Sequence, residues 1–486
     1  MDSIIHSRPA LSSRPRTRRQ PVFGRIRHVH LVGIGGIGMS SIAEVLLRRG
    51  YRVSGSDLAE SQVTRHLQSL GATIHKGHEA THIDKACVVV HSSAVDPATN
   101  PETLQARASG IPVIARSEML AELMRMKFGV GIAGTHGKTT TTTMAGHVIG
   151  EGAFDPTVIV GGKVAAFGSN AVSGDGDIIL IEADEYDRTF LRLTPVIAVI
   201  TNIEADHLDC YADLDDIRQA FIQYASSVPF FGVAIVCIDD EHARGILPEI
   251  DRRVVTYGTR KESDVRAENI RQEGLKMHFD VVEGSTRRGR VTLHSPGMHS
   301  VLNALAAIAV GLELDMAFED ISRGIGAFAG VDRRMHEIAN AASRLLIDDY
   351  AHHPTEVRAT LEAARGAFPE RRIVATFQPH LYSRTQQFAA QFGQALALAD
   401  VVIVLDVYGA REEAKAGVTG EIVAEAARVT GHAAVHYQPD RSNVVDTVMT
   451  LSKPGDVILT MGAGDIWRLN RDMADVLNRM EVSHGC

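Results

Sequence analysis

One stretch limits the fold of this chain more than any other: Gly131-Ile-Ala-Gly-Thr-His-Gly-Lys-Thr-Thr-Thr-Thr-Thr143. The apolar run Val130-Gly-Ile-Ala133 reads as a short buried strand, Gly134-Thr-His-Gly137 as a tight turn, and Lys138 onward as a helix. Strand, glycine turn and helix N-terminus make a phosphate cradle. Glycines let backbone N–H groups approach the oxygens, the helix end favours an anion, and a lysine reaches the outer phosphates. The predicted triphosphate contacts are Gly134, Thr135, His136, Gly137, Lys138, Thr139 and Thr140, with the Thr139 hydroxyl suited to Mg²⁺. The eight-residue form of the motif is not met, because its first glycine stands at 134 where the pattern needs 132. A Gly- and Thr-rich turn ahead of a core helix is the bland alternative.

A cradle of this kind needs a parallel α/β sheet around it, and 486 residues leave room for about three domains. The chain is 45% apolar and 22% charged, as expected of a folded soluble protein, and its net charge of −9 argues against broad binding to nucleic acid or an anionic membrane. No apolar run approaches the ~20 residues of a membrane span. Cys87, Cys210, Cys237 and Cys486 are scattered, which fits a reducing cytosol and neither a zinc site nor a disulfide framework. Residues 1–22 are rich in Arg, Ser and Pro and read as a disordered basic tail; an organelle presequence is compatible with them.

A second glycine turn precedes the first. His28-Val-His-Leu-Val32 is a strand, Gly33-Ile-Gly-Gly-Ile-Gly38 the turn, Met39–Leu47 a helix, and the next strand ends at Asp57. This is a dinucleotide fingerprint in its proper strand–helix–strand setting, and taken alone it predicts NAD. A UDP group also carries a pyrophosphate and a ribose, so the ligand stays open. Further strands at 86–90 and 111–114 extend a parallel sheet, and His91-Ser-Ser-Ala94 lies at a strand end. The helical stretch 118–124 then leads into the phosphate loop, where a second βα series opens.

Acids and polar residues gather at later strand ends. Asp177–Ile181 delivers Glu182-Ala-Asp-Glu-Tyr-Asp187, with Glu182 the best-placed Mg²⁺ ligand, although several of these acids could simply solvate a loop. Val196–Ile200 ends in Thr201-Asn-Ile-Glu-Ala-Asp-His207, which makes His207 a candidate metal or phosphate contact. His299 and Asn303 share one face of an otherwise apolar helix, as caps or as contacts to a base or phosphate. After Gly324–Gly330 a third βα series begins. Its strands end in Asp348-Asp-Tyr-Ala-His-His-Pro354, Gln378-Pro-His380-Leu-Tyr-Ser-Arg384, Asp406–Arg411 and Gly462-Ala-Gly464, so one edge of this domain is a site.

Six of these motifs, in this order, resemble the Mur ligases of peptidoglycan synthesis over about residues 24–480: Gly33–Ser40, Gly134–Thr139, Glu182–Glu185, Asp349–Pro354, Phe377–His380 and Gly462–Ile466. The resemblance also accounts for the short phosphate loop. It implies a three-domain α/β protein: an N-terminal Rossmann-like domain (23–127), a central P-loop-type ATPase domain (128–330) and a C-terminal Rossmann-like domain (331–486). The implied activity is an ATP-dependent amide ligation in the branch that joins L-alanine to UDP-N-acetylmuramate. An acyl phosphate forms, and ADP and phosphate are released.

By similarity, Lys138 would stabilise the transferred phosphoryl group, Thr139 and Glu182 would hold Mg²⁺, with Mn²⁺ as a substitute, and His207 would serve a second metal. His299 and Asn303 would serve the adenosine side, and Arg333 would neutralise phosphate from the third domain. Asp349, Tyr350 and His352 would meet the reacting groups and the amino acid, with His380 and Arg384 lining the same pocket. Gly35, Gly36, Gly38, Ser56, Asp57, Ser92 and Ser93 would hold the UDP-sugar. A cytoplasmic monomer or weak homodimer is expected. Between Lys163 and Lys261 there is no lysine, so the carbamylated lysine of several family branches is absent; the alanine-adding branch is similar in lacking it. The branch that attaches a whole tripeptide to the same sugar is the nearest alternative. An NAD-dependent oxidoreductase would use the first domain and leave the 134–143 loop unexplained.

Overall fold

The computed structural model describes residues 23–164, 169–206, 210–410 and 412–484. The basic tail 1–22 and His207 therefore lie outside the described residues. The chain forms two compact units, one ending at Ala115 and one beginning at Arg116.

In the first unit, strands β1 (His28–Val32), β2 (Arg52–Asp57), β3 (Thr73–Lys76), β4 (Val88–His91) and β5 (Val113–Ala115) form a parallel sheet in the order β3-β2-β1-β4-β5. Every residue of β1 is buried, as expected for a central parallel strand covered on both faces. The strand order reverses beside β1, and the Gly33 turn opens at that switch point, the usual ligand crevice of such sheets.

The second unit holds two sheets. Strands β6 (Phe128–Ala133), β7 (Thr157–Val164), β8 (Ser169–Val172), β9 (Ile178–Glu182), β10 (Ile197–Ile200), β11 (Val233–Cys237), β12 (Val254–Gly258), β13 (Val265–Glu273), β14 (Lys276–Glu283) and β15 (Thr286–Leu293) build the larger, in the order β15-β14-β13-β12-β11-β10-β6-β9-β7-β8. Strand β6 sits between β9 and β10, both parallel to it, so the turns after all three open on one edge. The helices Lys138–Glu151 and Met298–Glu313 pack against each other over this sheet. The second of them is buried along most of its length, through Val301, Ala304, Leu305 and Ile308, which is why its sequence is apolar nearly all round.

Strands β16 (His336–Ala341), β17 (Arg344–Asp349), β18 (Ile373–Phe377), β19 (Val401–Leu405), β20 (Val435–Gln438) and β21 (Val457–Met461) form the third sheet, in the order β16-β17-β21-β18-β19-β20. Only the edge strand β16 runs antiparallel. The helix Arg116–Arg125, expected in the first domain, belongs to the second unit. Its Met124 fills the space beside Gly129, and its Glu118 faces Arg192 at 3.8 Å.

Candidate active site

The predicted cradle forms between β6 and the helix Lys138–Glu151. Gly137 is the helix N-cap with φ +81°, and a Cβ there would stand 2.5 Å from Asn303 Oδ1. At Gly134, with φ +138°, a Cβ would lie 1.9 Å from Thr201 Oγ1. Both positions therefore require glycine. The threonine run divides by role. Thr142 and Thr143 donate back to the carbonyls of Lys138 and Thr139, each at 2.8 Å, and Thr141 donates to Asn303 Oδ1 at 3.1 Å. Thr139 turns outward, its hydroxyl 2.9 Å from Glu182 Oε1.

Lys138 Nζ donates to the Gly134 carbonyl at 2.7 Å and to both oxygens of Glu185, at 3.0 and 2.7 Å. Burial works against its charge, but the carboxylates of Glu185, Asp184 and Glu182 outweigh burial and hold its pKa above the ordinary lysine value. Burial raises the Glu182 carboxyl, and Asp184 adds to the rise against the hydrogen bonds from Gly161 N and Thr139 and the charge of Lys138. Two hard oxygen donors thus converge in a half-buried, acid-rich corner. That donor chemistry fits Mg²⁺ or Mn²⁺, held by Thr139 and Glu182.

Beside the loop is a cavity of about 280 Å³, lined by His136, Gly137, Thr140, His299 and Asn303 from one side and by Arg334, Asp349 and Glu356 from the other. Burial pushes the His299 imidazole down to about 4, and Arg334 pushes the same way, so His299 is neutral. Asn303 supports the Gly137 turn through Thr141 as well as lining the cavity, so the cap and contact readings of this helix face coexist.

The third sheet delivers its turns to the same edge. Asp349 accepts from Met335 N and Ala351 N, both at 2.8 Å, and from Thr360 Oγ1 at 3.2 Å. Burial pushes its carboxyl up to about 6 against Arg334 and these bonds. Its first task is therefore to fix the turn. His352 Nδ1 donates to the Tyr350 carbonyl at 2.9 Å, which leaves Nε2 as the acceptor nitrogen. Burial pushes this imidazole down to about 4 although Glu356 raises it. The rings of His352 and Tyr350 meet edge to face at 5.2 Å, and those of His352 and His380 at 5.9 Å. Arg384 lies 3.5 Å from His380 Nδ1, so these residues of the third sheet come together.

Arg333 departs from expectation. Its backbone has φ +61°, and its guanidinium is turned onto Asp348 Oδ2 at 3.0 Å and the Gly462 carbonyl. The neighbouring Arg334 lines the cavity instead, 3.5 Å from Glu356 Oε1. The two guanidiniums also sit over the Tyr350 ring, at 4.9 and 5.3 Å from its centre.

Sequence reasoning named Arg384 and His136 but not the partners through which they tie the third sheet to the phosphate loop. Arg384 makes a bidentate pair with Asp206, at 2.8 and 3.0 Å. Thr355 donates to Glu204 Oε1 at 2.8 Å, and His136 stands between Glu204 Oε2 at 2.8 Å and Glu356 Oε1 at 3.4 Å. Burial works against the charge on His136, yet the two glutamates push its pKa up to about 9. The only sequence signal was position: Glu204 and Asp206 follow a strand end, and Glu356 stands in the first turn of the helix Pro354–Ala367.

In the first unit, Gly35 N donates to Asp57 Oδ2 at 2.8 Å, so the acid at the end of β2 braces the glycine turn. Gly36 is exposed and Gly38 half-buried; Ser93 is exposed, and Ser92 Oγ would lie 2.8 Å from a Cβ on Gly33. Ser56 is a correction. It is fully buried, and its hydroxyl donates to Glu102 Oε2 at 2.6 Å beside His78 Nδ1 at 2.9 Å. Its place is in a polar knot under the sheet edge and not in the turn.

A phosphate loop with a half-buried, acid-paired lysine, an oxygen pair suited to a hard cation, and a second set of polar turns closing on it define a nucleotide-triphosphate-using α/β enzyme. Three family models match in sequence: the Mur ligase family catalytic domain over residues 28–128, the Mur ligase middle domain over 132–311 and the Mur ligase glutamate ligase domain over 333–464. The UDP-N-acetylmuramate–L-alanine ligase of Salinibacter ruber is 59% identical over 460 residues, covering 95% of this chain and 97% of its own. The ligase of the same name from Geotalea daltonii is 46% identical over 456 residues, 94% of this chain and 99% of its own. Among solved structures, the UDP-N-acetylmuramate–alanine ligase of Thermotoga maritima superposes with a TM-score of 0.76 at 30% identity, covering 92% of this chain and 98% of its own. A murein peptide ligase from Psychrobacter arcticus shares the fold, with a TM-score of 0.65 at 24% identity over 93% of this chain and 99% of its own. The chain belongs to the Mur ligase family and is an ATP-dependent ligase. The oxidoreductase reading of its first glycine turn is thereby set aside.

Proposed function

We propose that the chain joins L-alanine to the carboxylate of UDP-N-acetylmuramate, releasing ADP and phosphate, as a cytoplasmic step of peptidoglycan synthesis on which cell shape and division depend. The observation that carries this reading is the closure of the His352–His380–Arg384 cluster on the phosphate loop through Asp206, Glu204 and Glu356. An amino-acid site and a phosphoryl-transfer site have to meet in such a reaction. No helix among the described residues is long and apolar enough to cross a membrane.

A carboxylate is a poor acyl donor until one of its oxygens becomes a phosphate leaving group. Lys138 would leave Glu185 for the transferred phosphoryl group and neutralise its growing charge. Mg²⁺ held by Thr139 and Glu182 would add charge neutralisation there. Arg334 is the arginine placed to add positive charge from the third sheet. The amino group has to shed its ammonium proton before its lone pair can attack; His352 Nε2, held neutral, would accept a hydrogen bond from it and orient it toward the acyl phosphate, from which phosphate then leaves. His380 and Arg384 would hold the alanine carboxylate side. Asp57 and the turn Gly35, Gly36 and Gly38, with Ser92 and Ser93, would bind the UDP-sugar. The working divisions would be 23–127, 128–330 and 331–486, less the helix Arg116–Arg125, which leaves the first of them, with the protein a monomer or weak homodimer.

A coupled phosphate-release assay tests this. Release is expected only when UDP-N-acetylmuramate and L-alanine are both present. Faster release with glycine, serine or a tripeptide than with alanine would reassign the substrate.

A further inference from the structure

The contact between the phosphate loop and the third sheet is built as a transition-metal site. His136 Nε2 lies 2.8 Å from Glu204 Oε2, His353 Nδ1 lies 3.2 Å from the same oxygen, and the three atoms fall within 4.8 Å of one another. Zinc holds its nitrogen and oxygen ligands at roughly 2.0–2.2 Å in a tetrahedron, which sets neighbouring ligands about 3.3 Å apart. The two imidazole–carboxylate spacings, 2.8 and 3.2 Å, lie close to and slightly under that value, and the two histidine nitrogens are no more than 4.8 Å apart.

Two further observations point to a ligand. His353 is 5% exposed, and neither of its ring nitrogens makes a hydrogen bond, although Nδ1 is aimed at Glu204. An imidazole buried without a partner is costly in a folded protein. The supporting groups are also those of a metal centre. Glu356 Oε1 stands 3.4 Å from His136 Nδ1, the carboxylate–histidine arrangement that orients a ligating ring. Thr355 Oγ1 holds the other oxygen of Glu204 at 2.8 Å, and Phe388 packs edge-on against His353 at 5.0 Å, closing the apolar side.

We propose that His136, Glu204 and His353 form a binding site for a borderline divalent cation, zinc in the first place, distinct from the Thr139–Glu182 pair that suits Mg²⁺. Two nitrogens and one carboxylate favour zinc over Mg²⁺, which prefers an all-oxygen shell. His136 belongs to the phosphate loop, Glu204 to the turn after β10 and His353 to the turn after β17. A bound ion would therefore clamp the third sheet onto the phosphate loop and hold closed a contact that turnover has to release.

The test is a titration of the metal-free full-length protein with zinc chloride against a chromogenic chelator, with millimolar Mg²⁺ present. One zinc per chain is expected, and His353→Gln and Glu204→Gln should each weaken binding at least tenfold. Cobalt(II) in place of zinc should show the intense visible bands of tetrahedral coordination in the wild-type chain and lose them in His353→Gln. His82→Gln, in the separate histidine-rich knot of the first unit, should leave the affinity unchanged. Equal affinity in the wild-type, His353→Gln and Glu204→Gln proteins would overturn the proposal, as would no uptake of zinc or loss of the site in His82→Gln. Urea midpoints show which variants fold; should His353→Gln fail to fold, Glu204→Gln decides. Zinc should also lower the wild-type ligase rate at least tenfold while changing His353→Gln less than twofold. The titration reads the site without the ligase reaction, so it stands or falls apart from the substrate assignment.

Discussion

The chain turns from strand to helix through glycines twice, and the two turns work in opposite ways. After β1 the turn is built of backbone alone, with no cationic side chain in it, and its Gly35 N–H is met by Asp57. After β6 the turn carries Lys138, pairs it with Glu185 and sets Thr139 against Glu182. Backbone N–H groups and a helix N-terminus suffice to hold a diphosphate that does not react. Moving a phosphoryl group requires charge that can be shifted at the moment of transfer. Under the proposed function the same local geometry would serve holding in one place and chemistry in the other, with side chains deciding which.

The sharpest way to break this comparison is Lys138→Ala. Losing a positioned donor at developing charge costs about 10²–10³ in kcat, or roughly 3–4 kcal/mol. Phosphate release should fall by at least that factor while binding of the UDP-sugar, measured by calorimetry, stays within twofold. A Lys138→Ala protein turning over at the wild-type rate would remove the distinction between the two turns.

The second prediction concerns pH and the contact around His136. Its folded pKa of about 9 lies above the unfolded value of about 6.5. Its contribution, on the order of 3 kcal/mol, is therefore fully present below pH ~6.5 and is lost as pH rises through 9. His353 works the other way. Burial holds it down to about 4, so stability falls as pH drops from ~6.5 toward 4. Urea midpoints should peak near pH 6.5 and decline on both sides, and His136→Gln should flatten the alkaline limb. An unchanged alkaline limb in that variant would show that Glu204 and Glu356 do not hold a proton on His136.

Much of this was legible in the sequence, and the misses have a common physical cause. The two glycine turns, the acid after β9 and the polar turns of the third sheet follow from strand–turn–helix patterning, which is local. Side-chain direction is not. Arg333 and Arg334 are adjacent, and only the left-handed backbone at Arg333 sends its guanidinium to Asp348 and leaves Arg334 facing the cavity. Nor does spacing reveal pairs such as Arg384 with Asp206 or His136 with Glu356, whose members are far apart along the chain and meet only because two sheets face each other. Glu185 was in view within the acid cluster, but its pairing with Lys138 depends on β9 lying next to β6.

Within the third sheet, His352→Ala should raise the KM for alanine about tenfold, near 1.4 kcal/mol, with the KM for ATP within twofold. Initial rates with each substrate varied in turn read this directly. An equal rise in both constants would make His352 a support for the whole site and would blur its separation from the phosphate loop.

The smallest effect on turnover should come from Ser56→Ala, which acts on stability, and it returns to the first glycine turn. Ser56 lies one residue before Asp57, yet its hydroxyl is committed to the buried carboxylate of Glu102, which also faces His82 Nδ1 at 2.9 Å. Burial alone would raise the Glu102 carboxyl, but the His30 imidazole at 3.6 Å and bonds from Ser56 and His82 bring it down to about 2. Removing one of these donors should cost about 1–2 kcal/mol of stability. Because a depressed carboxyl stabilises the fold above its unfolded value and loses that as pH falls through its folded one, the cost should be present at neutral pH and shrink below pH ~4. The KM for UDP-N-acetylmuramate should not move. Asp57→Asn, by contrast, keeps the shape but weakens the acceptor of Gly35 N, and should raise that KM while leaving stability nearly unchanged. A Ser56→Ala protein with poorer sugar binding and intact stability would reverse the roles of these two neighbours and put the serine back in the turn.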